Sequence, residues 1–450
     1  MKTRKHMSRK ILLSLAALVL AVGLFAAGFF SGRSSLPRPA AVGETQCTVR
    51  YLVEGDVYES ESARPGEPLR GVGYPMLEKF SVLAWQDANG QTVEPQGYTV
   101  YTDMAFTAVT APALERRGGY MPCPDGLFRP EAPLSSADAL AIFRELAVSE
   151  PDEALFPESP CYMPDDFAAL LGHFFRMDAV AEAVDRIRGI GSEEVSRAEA
   201  AVALNALLGL SGGEEVYFPD VESGYWAAEA AALAGIPGFD EKLEAGFVNL
   251  SGWLYHVEEG GCFLKNDYIG SLYFDQNGRY TSGDGELDAL VAAAIAENTE
   301  PGMEREEMLR AMYTYVRDNF EYLRRNYYDL GENGWALAEA GTMYKSGKGN
   351  CYNYAAAFWA AARGLGYDAM TVSGNIGSDR SQHGWVEIPI NGERYVFDVE
   401  IEMAYIRDGK NASDMFMMPH LSARYAWLYL ELIDANAAAP RESAAVHALR

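Results

Sequence analysis

The stretch Lys348-Gly349-Asn350-Cys351-Tyr352-Asn353-Tyr354-Ala355-Ala356-Ala357-Phe358, followed by His383-Gly384-Trp385 and Tyr395-Val396-Phe397-Asp398, decides the reading of this chain. From Cys351 onward, Tyr354, Ala355, Phe358, Ala362 and Leu365 recur at the 3–4 residue spacing of one apolar helix face. Cys351 therefore stands at a helix N-terminus. Unpaired N–H groups and the positive end of the helix dipole favour a thiolate there, and Gly349 lets the chain enter the helix tightly. A nucleophilic thiol needs a histidine to take its proton and an acid or amide to hold that histidine in the right tautomer. His383 and Asp398 are the candidates.

The geometry of those two can be worked out from turn chemistry. Residues 385–390 and 393–399 are apolar-rich runs separated by Asn391-Gly392, a strong signal for a two-residue hairpin turn. If Ile390 pairs with Glu393, Trp385 faces Asp398 and His383 faces Glu400. Alternate residues share a strand face, so His383, Trp385, Asp398 and Glu400 project to one side. Diagonal neighbours lie roughly 7–8 Å apart, within reach of an Asp–His hydrogen bond. The same register leaves Glu400 as a rival to Asp398 for orienting His383.

These residues also resemble a family. Gly-x-Cys-x-x-Tyr-Ala at 349–355, a hydrophobic helix ending in Gly364-Leu365-Gly366, a short strand, His-x-Trp at 383–385 and Asp398 at the end of the next strand are similar to the core of the transglutaminase-like superfamily. Upstream, the run from Tyr315 to Tyr322 resembles the helix that precedes this core in bacterial members. One departure is Val399-Glu400, where a proline and a small residue are usual. The resemblance implies a papain-like α+β fold with a Cys351–His383–Asp398 triad for amide hydrolysis or acyl transfer. No Cys–His metal spacing appears in the sequence, so no structural zinc is expected, and no cofactor. Such folds also serve as non-catalytic binding modules.

With 64 acidic against 37 basic residues the formal charge is −27, which makes nucleic acid a poor partner. At the N-terminus, Lys2, Arg4, Lys5, Arg9 and Lys10 precede Ile11 to Phe30, a run without charge. About 20 helical residues span a bilayer, and basic residues before such a run stay cytoplasmic. Residues 1–31 are therefore expected to form a transmembrane signal anchor that contacts the membrane through residues 11–30. The protein is then placed at the cell membrane, single-pass with its C-terminal body outside, or alternatively secreted to the cell wall. Five cysteines, Cys47, Cys123, Cys161, Cys262 and Cys351, are too few for a disulfide scaffold. If Cys351 is kept as a thiol, Cys123 with Cys161 is the pairing to look for first.

In chain order, a linker at 32–46 precedes short β-type runs at 47–110, with Trp85 as the core aromatic. These runs resemble an internalin-type β repeat. Residues 117–240 resemble degenerate S-layer homology repeats, with Val195-Ser196-Arg197-Ala198-Glu199 matching the family signature. That resemblance implies binding of acidic wall polymer, here through Arg197. Residues 245–284 carry two aromatic hairpin patterns and read as a β-hairpin linker. Residues 285–433 form the α+β transglutaminase-like domain, in which helical faces built on Leu287 and Leu309 surround the Cys351 helix. A loop at 326–348 is expected to wall the cleft, with Trp335 as a groove residue. Residues 434–450 are a tail.

The overall expectation is a multidomain chain of transmembrane helix, small β domain, helical module, β-hairpin linker and α+β papain-like domain. Its activity is that of a transglutaminase-like cysteine enzyme acting on amide bonds of protein or peptide through a thioester. The alternative is a cell-surface scaffold with a triad-like fold and no turnover.

Overall fold

The structure is a computed structural model that describes residues 46–188, 193–212, 216–325, 327–410 and 413–427. The described chain divides into a small β unit, made of the residues up to Gly73 with Ala84–Val109, and a larger unit, Tyr74–Leu83 with the residues from Thr110 on.

The β unit is built on strands β1 (Cys47–Val53), β2 (Asp56–Ala63), β3 (Phe80–Gln86), β4 (Thr92–Val93) and β5 (Met104–Pro112), in the sheet order β2-β1-β5-β3-β4. Alternation along β1 turns Cys47, Val49, Tyr51 and Val53 inward. Tyr51 meets Trp85 edge to face at 5.3 Å, and the Trp85 indole donates to the Gly73 carbonyl at 3.0 Å.

In the larger unit, helices α1 (Ser136–Leu146), α2 (Pro164–Leu171), α3 (Met177–Arg188), α4 (Arg197–Leu208) and α5 (Ala228–Ala234) enclose one apolar core. Helices α1 and α4 each begin with a capping box, Ser135 with Asp138 and Ser196 with Glu199. Pro133 and Ser196 bridge, so the two helix starts lie side by side. A hairpin of β6 (Gly246–Leu250) and β7 (Trp253–Val257) follows. After it comes a meander of β8 (Asp267–Ile269), β9 (Leu272–Phe274) and β10 (Tyr280–Thr281).

The remaining elements form a C-terminal α+β region. Helices α6 (Gly285–Asn298) and α7 (Arg305–Asn319) bury the expected faces, Leu287, Val291, Ala294 and Ile295 on one and Leu309, Met312, Tyr313 and Val316 on the other. After the short β11 (Glu321–Tyr322) come α8 (Ala336–Ser346), β12 (Lys348–Gly349) and the almost wholly buried α9 (Cys351–Gly364). Six alanines between positions 355 and 362 keep α9 thin, so neighbours approach its backbone from every side. A four-stranded sheet packs on it in the order β13 (Met370–Ile376), β14 (Ser381–Ile390), β15 (Glu393–Phe397) and β16 (Met418–Pro419). Helix α10 (Val399–Arg407) leaves the end of β15, and α11 (His420–Trp427) follows β16.

The structure corrects four expectations. A membrane span needs about 20 apolar helical residues, and among the described residues no helix is long and apolar enough to cross a membrane. Residues 11–30, on which the transmembrane anchor and the single-pass cell-membrane location were read, lie outside the described residues. The fold class reduces to the β unit and the larger unit with its α+β region. The Cys123–Cys161 pairing is not formed, because all five cysteines are free. The loop at 326–348 contains α8, whose N-cap is Trp335, and that side chain is core rather than groove. It stacks on Tyr328 at 5.4 Å and meets the Tyr352 ring edge-on at 5.1 Å. Finally, β15 stops at Phe397, and Asp398 caps a helix where a strand was expected to run on to Val399. The tail at 434–450 also lies outside the described residues.

Candidate active site

The site is assembled from a helix start, a strand and a second helix start. Asn350 caps α9: its side chain accepts from the Tyr352 N–H at 3.2 Å, while Asn353 Oδ1 accepts from the Asn350 N–H at 3.0 Å. Asn353 in turn donates to the Glu339 carbonyl at 3.1 Å and to its carboxylate, which ties the start of α9 to α8. A Cβ on Gly349 would collide with the Asn353 side chain, so this capping box requires glycine there. Cys351 is then the first residue of the helix, only 3% exposed. Its own N–H lies in the first turn and has no intrahelical acceptor.

Strand β14 brings His383 to the thiol. A Cβ on Gly384 would run into the Tyr352 ring, so glycine allows the strand to lie against the first turn of α9. The hairpin forms in the expected register, Ile390 with Glu393, turning through Asn391 and Gly392 at φ of 52° and 85°. Left-handed values at both turn residues match the demands of a type I′ turn.

His383, 4% exposed, places Nε2 2.7 Å from Asp398 Oδ2, which leaves Nδ1 as the nitrogen for the Cys351 thiol. Asp398, 1% exposed, divides its carboxylate: Oδ2 takes His383, and Oδ1 caps α10 by accepting from the Ile401 N–H at 3.1 Å. Burial is the largest single influence on His383 and favours the neutral ring. The charges and hydrogen bonds of Asp398 and Cys351 outweigh it, and His383 titrates well above the ordinary histidine value. A cationic ring between a carboxylate and a thiol is the arrangement of a thiolate–imidazolium pair.

Asp398 is itself held by residues that the sequence reading did not single out. Its N–H donates to the Met415 carbonyl at 3.1 Å, and the Tyr313 hydroxyl lies 3.0 Å from its carbonyl oxygen. The same hydroxyl lies 2.8 Å from Glu402 Oε2, an oxygen that also accepts from the Met415 N–H at 2.8 Å. Arg317 closes the frame on Glu402 Oε1 at 2.6 Å. Tyr313 and Arg317 share a face of α7 and Glu402 lies on α10, so a partnership across 85 residues or more had no local signature.

Glu400, the rival orienter, lies in the first turn of α10 and is buried near His383 without a hydrogen bond to it. Desolvation pushes its carboxyl up; the charge of His383 opposes this most, the charge of Asp398 adds to the rise, and Arg407 opposes it least. Arg197, the residue implied for wall-polymer binding, is internal. Its guanidinium donates to the Phe128 and Pro122 carbonyls at 2.8 and 2.9 Å and to Asp138 at 3.0 Å.

Residues 292–398 match the family model of the transglutaminase-like superfamily, a span that runs from α6 through Cys351 and His383 to Asp398. The chain carries a transglutaminase-like domain there. Among solved structures it is similar to a candidate cysteine protease from Cytophaga hutchinsonii at 17% identity, over 26% of this chain and 43% of that chain, with a TM-score of 0.20. The alignment thus spans less than half of that protein, and at this score it carries no argument. The comparison with curated proteins finds no match. Of the three family resemblances, the transglutaminase-like one alone is matched by a family model.

Proposed function

We infer that this protein is a cysteine hydrolase or acyltransferase acting on amide bonds of protein or peptide, with Cys351 as nucleophile, His383 as acid and base, and Asp398 as the residue that positions His383. The observation that carries this reading is the buried 2.7 Å His383–Asp398 pair set against a cysteine at a helix N-terminus.

The thiolate sulfur attacks the amide carbonyl carbon, forming the S–C bond while the C=O π pair moves to oxygen. The Cys351 N–H faces that oxyanion; one such donor is typically worth roughly 10²–10³ in rate. As the tetrahedral species collapses, the C–N bond breaks and the His383 imidazolium gives its proton to the leaving amine. A thioester remains on Cys351. The neutral ring of His383 then takes a proton from water or from an amine as it attacks the thioester carbon, and the S–C bond breaks to regenerate the thiolate. Water gives hydrolysis; an amine gives transfer.

The test is the rate of iodoacetamide labelling of Cys351 as a function of pH, beside His383→Ala. Fast labelling well below pH 7 that is lost in the variant is the expected result. Slow labelling that rises only near a free thiol's pKa of about 8.5 refutes the enzyme reading and leaves a non-catalytic scaffold.

A further inference from the structure

The hairpin of β6 and β7 is held at its tip and on both faces, while its outer edge is open. A Cβ on Gly252 at the tip would collide with the Ala292 carbonyl of α6, so the turn sits directly on that helix. Val248 and Leu250 pack with Tyr255 and Val257 on one face, and Phe247 packs with Leu254 and Phe274 on the other. Ser251 and Gly252 have φ of 51° and 84°, as a two-residue type I′ turn requires. The pair that closes such a turn, Leu250 with Trp253, is hydrogen-bonded, and bonded and non-bonded pairs alternate along antiparallel strands. Phe247 and Asn249 therefore direct their backbone N–H and C=O groups away from β7. Among the described residues no other strand pairs with β6, and no hydrogen bond reaches these four groups.

A cavity of about 670 Å³ adjoins this edge, inside the range of roughly 300–1,000 Å³ typical of ligand pockets. Its walls include Val248 and Leu250 from one face of the hairpin and Phe247 and Leu254 from the other, so it lies along the edge of β6 rather than over either face. The opposite wall is the connection from α6 into α7, residues 299–308. There the Arg305 guanidinium lies 5.2 Å from the Phe247 ring, which sets the start of α7 across from the strand. Two wall residues each hold a buried polar atom without a partner, Asn249 Nδ2 and Asp125 Oδ1. Asn249 Oδ1 accepts from the Gly252 N–H at 2.9 Å, which fixes the amide and leaves Nδ2 as a donor; Asp125 gives Oδ2 to Arg129, which leaves Oδ1 as an acceptor. Unpaired buried groups of this kind cost free energy. A peptide strand offers one N–H donor and one C=O acceptor per residue at the spacing of β6. An anion brings acceptors alone and would leave the Phe247 and Asn249 carbonyls and Asp125 unserved.

We propose that this cavity binds an extended polypeptide segment as a third strand on β6, and that the segment belongs to the protein or peptide on which Cys351 acts. The second clause rests on the reading of Cys351 as the nucleophile; the first does not. The site is separate from the triad. Leu365, which lines the cavity, follows the last residue of α9, whereas Cys351 is the first. At about 1.5 Å per residue the two ends of that helix lie roughly 21 Å apart.

The experiment uses the full chain and an amidated hexapeptide of alternating threonine and valine with fluorescein at its N-terminus. Binding is read by anisotropy. A second form carries benzoylphenylalanine in place of one valine, and its crosslinks after irradiation are located by peptide mass. Crosslinks to residues 247–250 and 299–308 are expected. N-methylation of one alternate set of peptide amides should weaken binding at least about tenfold, since those N–H groups would face the Phe247 and Asn249 carbonyls. Methylation of the other set, which points away from β6, should leave binding as it was.

Absence of saturable binding, crosslinks confined to other residues, or equal binding of the unmodified peptide and both methylated forms overturns the proposal. Crosslinks that disappear when Cys351 is alkylated place the peptide in the catalytic cleft and overturn it as well. The expected crosslinks and methylation pattern in a protein whose Cys351 labels only slowly with iodoacetamide uphold the strand site and sink the enzyme reading, and with it the claim that the segment is substrate.

Discussion

The helical module and the transglutaminase-like region each bury a cysteine beside a cation, with opposite results. In the first, Arg197 has a side chain only 7% exposed and lies 3.8 Å from the sulfur of Cys123. Its donors go to two backbone carbonyls and to Asp138, and Cys123 is not at a helix start. Burial, partly offset by Arg197, pushes the Cys123 thiol up to about 11. In the second, His383 carries a charge that can leave, one ring nitrogen held by Asp398 and the other free for a thiol at the first turn of a helix. A buried cation stabilises structure when all its donors are consumed by fixed groups, and it is left available for chemistry when one faces a thiol.

The largest expected effect tests that contrast directly. At pH 6 a thiol with a pKa of about 11 is thiolate in roughly one molecule in 10⁵, so alkylation at Cys351 should outrun that at Cys123 by at least about a thousandfold. Asp398→Asn should cut turnover by roughly 10²–10⁴ and narrow the labelling gap, because the ring loses its anionic partner. Equal labelling of the two cysteines would erase the distinction between the regions.

Next in size is Arg197→Met, which leaves the Phe128 and Pro122 carbonyls and Asp138 without their donor. A loss of about 3–5 kcal/mol in denaturant stability is expected, with the labelling rate of Cys351 unchanged in the folded protein. A change in that rate would tie the helical module to the site. Tyr313→Phe should be milder, at about 1 kcal/mol for a lost hydrogen bond, with kcat falling more than KM rises, since the frame around Asp398 loosens without removing a reacting group. An effect on KM alone would deny it a positioning role.

The smallest effects are on pH dependence. Because the folded pKa of His383 is raised, its contribution to stability is fully present below the unfolded value near 6.5 and is lost as pH rises through the folded value. The stability gap between the unaltered protein and His383→Gln should therefore be widest near pH 6 and narrow toward alkaline pH. Glu400 has a raised carboxyl pKa, so its ionisation opposes folding above the ordinary glutamate range. Glu400→Gln should raise the denaturant midpoint at pH 7. A lower midpoint would mean that Glu400 has a stabilising partner in the fold.

The parts of the site that were legible in the sequence are those encoded within a few residues. The apolar spacing after Cys351 marked a helix start, and Asn391-Gly392 set the hairpin register that carries His383. Both signals are local, because a helix face repeats every three to four residues and a type I′ turn demands two positive φ values in succession. Trp335 was misplaced because an aromatic residue before a helix looks alike in sequence whether it lines a groove or closes a core.

The sequence by itself determined the helix start at Cys351, the histidine's strand and the pairing register. Only the tertiary structure decided that Asp398 and not Glu400 holds the histidine, because the chain leaves the strand at Phe397 and turns into α10, which breaks the strand alternation that had made the two acids equivalent. It alone decided that Arg197 is spent inside its module, and that Tyr313, Arg317 and Glu402 frame Asp398 from elements far away in the chain. Those partnerships depend on which faces pack together, and packing is a property of the whole fold rather than of any short stretch.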